Sequence, residues 1–157
     1  MMATKTIITL SLIALVAACG GPGDSATVPT AEPAAASSAV IGDHIVHFSA
    51  QSTDQLPPEV ARTYNFVRSK KRAMLNVSVL DTATSKAVTA MVTVKTVNLT
   101  GQLKNITMRK IEEQDAIYYI GETPVAHRET LIFDISITPQ GAAASFDVRF
   151  KRQFYTD

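Results

Sequence analysis

Leu131-Ile132-Phe133-Asp134-Ile135-Ser136-Ile137 sets Leu131, Phe133, Ile135 and Ile137 at alternate positions, with Asp134 and Ser136 between them. A period of two means that one face of a strand enters a core while the other meets water. Downstream, Phe146, Val148, Phe150 and Phe154 form a second apolar row, opposed by Asp147, Arg149, Lys151 and Gln153 and interrupted near its end by Arg152. Between the two rows, Pro139-Gln140-Gly141 has the residues of a tight turn, so the pair is expected to fold as an antiparallel hairpin.

Working upstream, Leu75, Val77 and Val79 alternate with Asn76 and Ser78, and Asp81-Thr82-Ala83-Thr84-Ser85 has loop composition. Val88, Ala90, Val92 and Val94 then alternate with Thr89, Met91, Thr93 and Lys95, which predicts a second hairpin. Asn98-Leu99-Thr100-Gly101 marks a reversal, followed by a less regular strand from Leu103 to Ile111, an acidic turn Glu112-Glu113-Gln114-Asp115 and a strand from Ala116 to Ile120. A further strand near Asp43 to Ala50 has no clear phase. The helical candidate is Pro57 to Asn65: prolines at its entry, Glu59 in the first turn, Val60 and Tyr64 four apart, and Asn65 as its stop. About seven short strands with one short helix predict an antiparallel β-sandwich. It is immunoglobulin-like in architecture only, because the chain has no Trp and a single Cys.

The N-terminal region has a different texture. Lys5 supplies a positive charge, Ile7 to Val16 an apolar core and Val16-Ala17-Ala18 a small-residue cleavage site, the pattern of an export signal over residues 1–18. Val16-Ala17-Ala18-Cys19 also resembles the lipobox of bacterial lipoproteins. That resemblance implies a diacylglycerol thioether on Cys19, cleavage just before it and acylation of the new amino group. One acyl chain holds a protein to a bilayer only marginally, and stable anchoring needs more than one such signal. The apolar run falls short of the roughly 20 residues that span a bilayer. Gly20 stands where an aspartate would imply retention at the inner membrane, so the resemblance implies the outer membrane, facing the periplasm. Residues 19–39 are rich in Gly, Pro, Ala, Ser and Thr, with Val28 the lone bulky apolar side chain. Such a segment cannot bury enough surface to offset its ordering entropy. It is expected to act as a tether with a mean span of at least about 25 Å. The folded domain is expected over residues 40–157. With the one cysteine used as an anchor, that domain has no disulfide, thiolate nucleophile or cysteine ligand.

Several segments taken together resemble a known family: Arg68 to Leu80, Asp115 to Ile120, Glu129 to Ile135 and the terminal Gln153-Phe154-Tyr155-Thr156-Asp157. They resemble domain of unknown function family 4426, a group of small exported bacterial proteins, over roughly Ile41 to Asp157. The resemblance implies an exported all-β domain and carries no activity with it.

Chemistry is sparse. His44, His47 and His127 are candidate metal ligands, with Met74, Met91 and Met108 as thioethers suited to copper. Residues three apart on a strand point to opposite faces, so His44 and His47 cannot chelate one ion, and His127 would have to join one of them. The chain has neither the Gly-x-Ser-x-Gly elbow nor a zinc-protease histidine pair. Glu112, Glu113 and Asp115 are better explained as a solvated turn than as catalytic carboxylates. Arg68, Lys70, Lys71 and Arg72 form a local basic run in a chain of net charge +1. That is a candidate surface patch for anionic lipid head groups or sugar phosphates, with a solvated loop leading into a strand as the plainer reading, and not a nucleic-acid footprint. The expectation is a non-enzymatic, cofactor-free envelope module that binds or assists a partner, with a periplasmic copper carrier as the alternative.

Overall fold

The computed structural model describes residues 37–157. Cys19, the signal segment and nearly all of the tether lie outside the described residues. One sheet contains β1 (Ser38–Ile41), β2 (His44–Ser52), β3 (Arg72–Asp81), β6 (Arg109–Glu113) and β7 (Ala116–Pro124). The other contains β4 (Ala90–Asn98), β5 (Leu103–Lys104), β8 (Glu129–Pro139) and β9 (Phe146–Phe154). Their orders are β1-β2-β3-β7-β6 and β5-β4-β8-β9, with every neighbouring pair antiparallel. Nine strands in two sheets, with the short helix α1 (Pro58–Thr63), make the sandwich that the alternation implies.

The core lies between the sheets. Leu131, Phe133, Ile135 and Ile137 are fully buried from β8, as are Leu75, Val77 and Val79 from β3. On β2 the inward residues are Val46, Phe48 and Ala50, which fixes the phase the sequence leaves open. The β8–β9 hairpin forms as expected, closed by the Ala142 N–H donating to the Pro139 carbonyl at 3.0 Å, with Gly141 at φ 85°. Tyr119 reaches inward from β7, and its hydroxyl accepts the Ala90 N–H of β4 at 2.6 Å, tying one sheet to the other. Tyr119→Phe leaves that buried N–H without a partner and is expected to cost about 2 kcal/mol. An unchanged urea midpoint would contradict the tie.

Two sequence expectations are corrected here. The β3 and β4 segments are not a hairpin: they lie in different sheets, joined only by an isolated bridge between Leu80 and Ala87. The Asp81 carboxylate accepts the N–H groups of Ala83 and Thr84, Ser85 takes φ 56°, and the connection leads the chain into the second sheet. Nor is Leu103 to Ile111 one strand. Residues 105–108 pass between the sheets, separating β5 from β6 and packing Ile106 and Met108 against the core. Their path requires Gly121 on β7, where an added Cβ would meet Met108 Sδ and the Thr107 carbonyl at 2.8 Å.

Candidate functional site

The Thr53–Ser69 excursion leaves the end of β2 and returns to the start of β3. Thr53 begins it as a fully buried hydroxyl. That hydroxyl donates to the Val67 carbonyl at 2.7 Å and accepts the Ser69 N–H at 2.9 Å, which pins the base of the loop. Arg68 adds a bond to the Asp54 carbonyl at 2.6 Å. Within the loop, Pro58 opens α1. Asn65 closes it at φ 55°, with the Phe66 N–H donating to the Ala61 carbonyl at 2.8 Å and the Asn65 N–H to the Arg62 carbonyl at 3.2 Å. That is a Schellman end with asparagine in the left-handed position.

This loop lies over the outer face of the first sheet. Leu56, Ala61 and Phe66, with Val60 and Tyr64, pack on Met74 of β3, Tyr118 and Ile120 of β7 and Ile111 of β6. The far side of the loop is strapped to β6: the Tyr64 hydroxyl donates to the Glu113 carboxylate, and Arg109 donates to the Tyr64 carbonyl while lying 5.1 Å from the centre of the Phe66 ring. The carboxylate accepting its proton, and secondarily burial, raise the Tyr64 phenol above its ordinary pKa, so it stays a donor. Between loop and sheet a groove of about 370 Å³ remains. Its walls are mainly apolar, and its polar members are Asn76, Glu113 and the phenols of Tyr64 and Tyr118. The Asn76 side-chain oxygen is buried and has no hydrogen-bond partner.

A larger depression of about 660 Å³ on the outer face of the second sheet is less suited to a ligand. Two of its four charged side chains are already paired, Arg149 holding Asp134 through Nε and one Nη, the latter at 3.0 Å, on a strand face that also carries Lys95 and Asp147. A mainly apolar groove with a few polar groups is the better candidate site.

The residues singled out from sequence do not converge. In the basic run, Arg68 holds the loop base, Lys70 bonds the main-chain oxygen of Asp157 at 2.6 Å, and Arg72 pairs with Glu122 at 2.8 Å. Lys71 is exposed, with its N–H on the Ser69 hydroxyl at 3.1 Å. Three of the four cations thus hold the fold together. His44 and His47 sit opposite Asp81 and Ser78 of β3, whereas the Val125 N–H bonds the Lys71 carbonyl at 2.9 Å and places His127 beyond the other end of that strand. From Ser78 to Lys71 is roughly 24 Å of strand, too far for a shared ion. His127 instead contacts Asp157 at 3.0 Å. Met91 is exposed, Met74 lines the groove and Met108 packs over Gly121, so the thioethers are dispersed as well. Among the described residues, no three His, Cys, Asp or Glu side chains come together as a metal site. Glu112 and Glu113 belong to β6 rather than to a turn and, as strand neighbours, face opposite ways.

Sequence reasoning missed the groove. The available signals were the unbroken apolar run Tyr118-Tyr119-Ile120 and the adjacent Met74-Leu75. Apolar residues at both parities of a strand mean burial on both faces.

The fold and groove define a class: an antiparallel β-sandwich with a helical loop enclosing an apolar groove on one outer face. Within that class, the chain belongs to the family described as Domain of unknown function (DUF4426), whose model matches residues 38–157. The domain is similar to the crystal structure of a DUF4426 family protein from Pseudomonas aeruginosa PAO1, with 31% sequence identity over 76% of this chain and 94% of that one, and a TM-score of 0.67. No curated protein matches the chain.

Proposed function

We propose that the chain is a lipid-anchored, non-enzymatic binding module of the bacterial envelope, held through Cys19 to the periplasmic face of the outer membrane. The anchor is supported by Val16-Ala17-Ala18-Cys19 directly after an apolar core, and by the Pro- and Ala-rich segment that would let a domain stand off a lipid surface. The observation that carries the binding role is the groove under α1, a mainly apolar cleft of about 370 Å³ beneath a loop that is pinned at its base and strapped to β6. Protein partners have a separate surface. β5 pairs with β4 only at Thr96 and Val97, leaving Met91 to Val94 as an uncharged edge suited to strand addition.

Labelling of cells with an alkyne fatty acid tests the anchor. Wild-type protein is expected to take up the label and sediment with membranes, and Cys19→Ser to lose both properties. Wild-type protein that carries no acyl group would overturn the anchored reading.

A further inference from the structure

We propose that the domain docks on an anionic lipid bilayer through one end of the sandwich, the end where β2, β4, β7 and β9 finish and β3 and β8 begin. The proposal rests on the anchored reading and names the surface that the anchor would bring to the lipid.

The connections at that end are bonded to one another. The Val125 N–H donates to the Lys71 carbonyl at 2.9 Å, and the Lys70 ammonium to the main-chain oxygen of Asp157 at 2.6 Å. The Gln153 amide donates to the Arg128 carbonyl at 3.1 Å, and the Asn98 amide to the Glu129 carboxylate at 3.0 Å. Residues 67–71, 99–102, 125–128 and 155–157 therefore form one surface. Of the six large hydrophobic residues left exposed among those described, Val67, Leu99, Leu103 and Tyr155 are here, each at least 60% exposed. Apolar side chains gathered on one exposed end and rimmed by charge mark a contact surface.

The charge on that rim is positive. Arg68, Lys71, Arg128 and Arg152 are exposed and belong to no ion pair among the described residues. The bond from Arg68 to the Asp54 carbonyl leaves its charge uncancelled, because that acceptor is neutral. Arg72 with Glu122 and Lys104 with Glu129 cancel as pairs, and the remaining carboxylates at this end, Asp54 and Asp157, are outnumbered by the cations. The opposite end has the reverse sign, with Asp43, Asp81, Glu113 and Asp115 against Lys86 at its connections. A domain charged in this way turns its positive end toward an anionic surface. Each Lys or Arg near such a surface strengthens attachment about fivefold, and apolar and aromatic side chains settle at head-group depth. The backbone is also directed correctly. Traced back from Ile41 to Ser38, β1 runs from His44 to His47 of β2, and the Ser37 carbonyl accepts the Phe48 N–H at 2.9 Å, so the described chain begins heading from the docking end.

The chain has no Trp and one Cys, so an introduced Trp reports position, and Cys19 can be coupled to a maleimide lipid whatever its fate in the cell. The test couples the full chain to vesicles of phosphatidylcholine alone or of an equimolar mixture with phosphatidylglycerol, both with brominated acyl chains that quench Trp fluorescence. Leu99→Trp, at the docking end, is expected to be quenched about twofold or more strongly on the anionic vesicles than on the neutral ones. Ala83→Trp, in an exposed loop at the opposite end, is expected to be quenched on neither. High salt, which screens surface charge without altering the protein, removes the difference, and Lys71→Glu with Arg128→Glu does the same. Equal quenching of Leu99→Trp on the two kinds of vesicle, or quenching of Ala83→Trp as strong as that of Leu99→Trp, would overturn the docking end while the fatty acid label on Cys19 still upholds the anchor. An unlabelled Cys19 in cells would overturn the anchored reading and leave the lipid preference of this end measured on the vesicles.

Discussion

Phe133→Ala is expected to cost the domain about 4 kcal/mol, a large share of the stability of an ordinary domain. Phe133 is fully buried from β8 and stacks on Phe150 of β9 with ring centres 4.9 Å apart and planes 15° from parallel. Phe150 in turn lies 4.9 Å from Phe48 of β2, so three rings link the two sheets through the core. Truncating the fully buried ring removes its transfer free energy and leaves a cavity that neighbours in close contact cannot fill. Urea denaturation followed by circular dichroism measures the loss. A change below about 1 kcal/mol would mean that this ring is not packed as described.

Glu129→Ala is expected to cost about 3 kcal/mol, because it strands the Lys104 cation that Glu129 pairs with. The Lys104 ammonium lies 2.9 Å from the carboxylate, with side chains only 16% and 9% exposed. Asn98 adds a hydrogen bond at 3.0 Å and the Ala126 N–H another at 2.8 Å. Together they hold β5, the end of β4 and the turn into β8. Replacing both partners, Glu129→Leu with Lys104→Met, is expected to cost less than the single change, since no charge is then left uncompensated. The pair also fixes a pH dependence. Burial by itself would raise the Glu129 pKa, but the hydrogen bonds from Asn98, Lys104 and Ala126 outweigh it, and the carboxyl is held below its ordinary value. A carboxylate depressed in the folded state contributes stability that is complete above the unfolded pKa, about 4.3, and is lost as pH falls through the folded one. The penalty of Glu129→Ala is therefore expected to shrink on acidification below about pH 4. A penalty that stays constant down to pH 2 would contradict the assignment.

What the sequence reveals depends on whether one face or two are buried. β8 alternates cleanly, and β9 does so as far as Phe150, because their outer residues, Asp134, Ser136, Asp147 and Arg149, face water, and both strands and their hairpin are legible. Alternation does not say which sheet a strand joins. Val77 and Val92 reach the same core from opposite sides, so β3 and β4 imitate a hairpin. Asn105-Ile106-Thr107-Met108 continues the alternating pattern because its apolar residues also face the core, though the backbone there pairs with neither sheet. β7 extends past Ile120 to Pro124 through Gly121, which resembles a strand end but is needed where residues 105–108 pass close by. The helix was legible from Pro58 and Asn65, but its purpose was not. The face it covers is built from Met74, Tyr118, Ile120 and Ile111, residues on three strands that only the sheet order brings together. The basic run is visible in the sequence as charge, whereas the groups that Arg72 and Lys70 bond, Glu122 and Asp157, are far along the chain.

The groove is the claim on which the functional account turns, and amide chemical shifts of the isotope-labelled domain titrated with 2-naphthol test it most directly. The account predicts saturable shifts clustered at Leu56 to Phe66, Met74 to Asn76, Ile111 to Glu113 and Tyr118 to Ile120. Shifts confined to the Ala90 to Lys95 edge or to the outer face around Asp134, with the α1 loop unmoved, would contradict it.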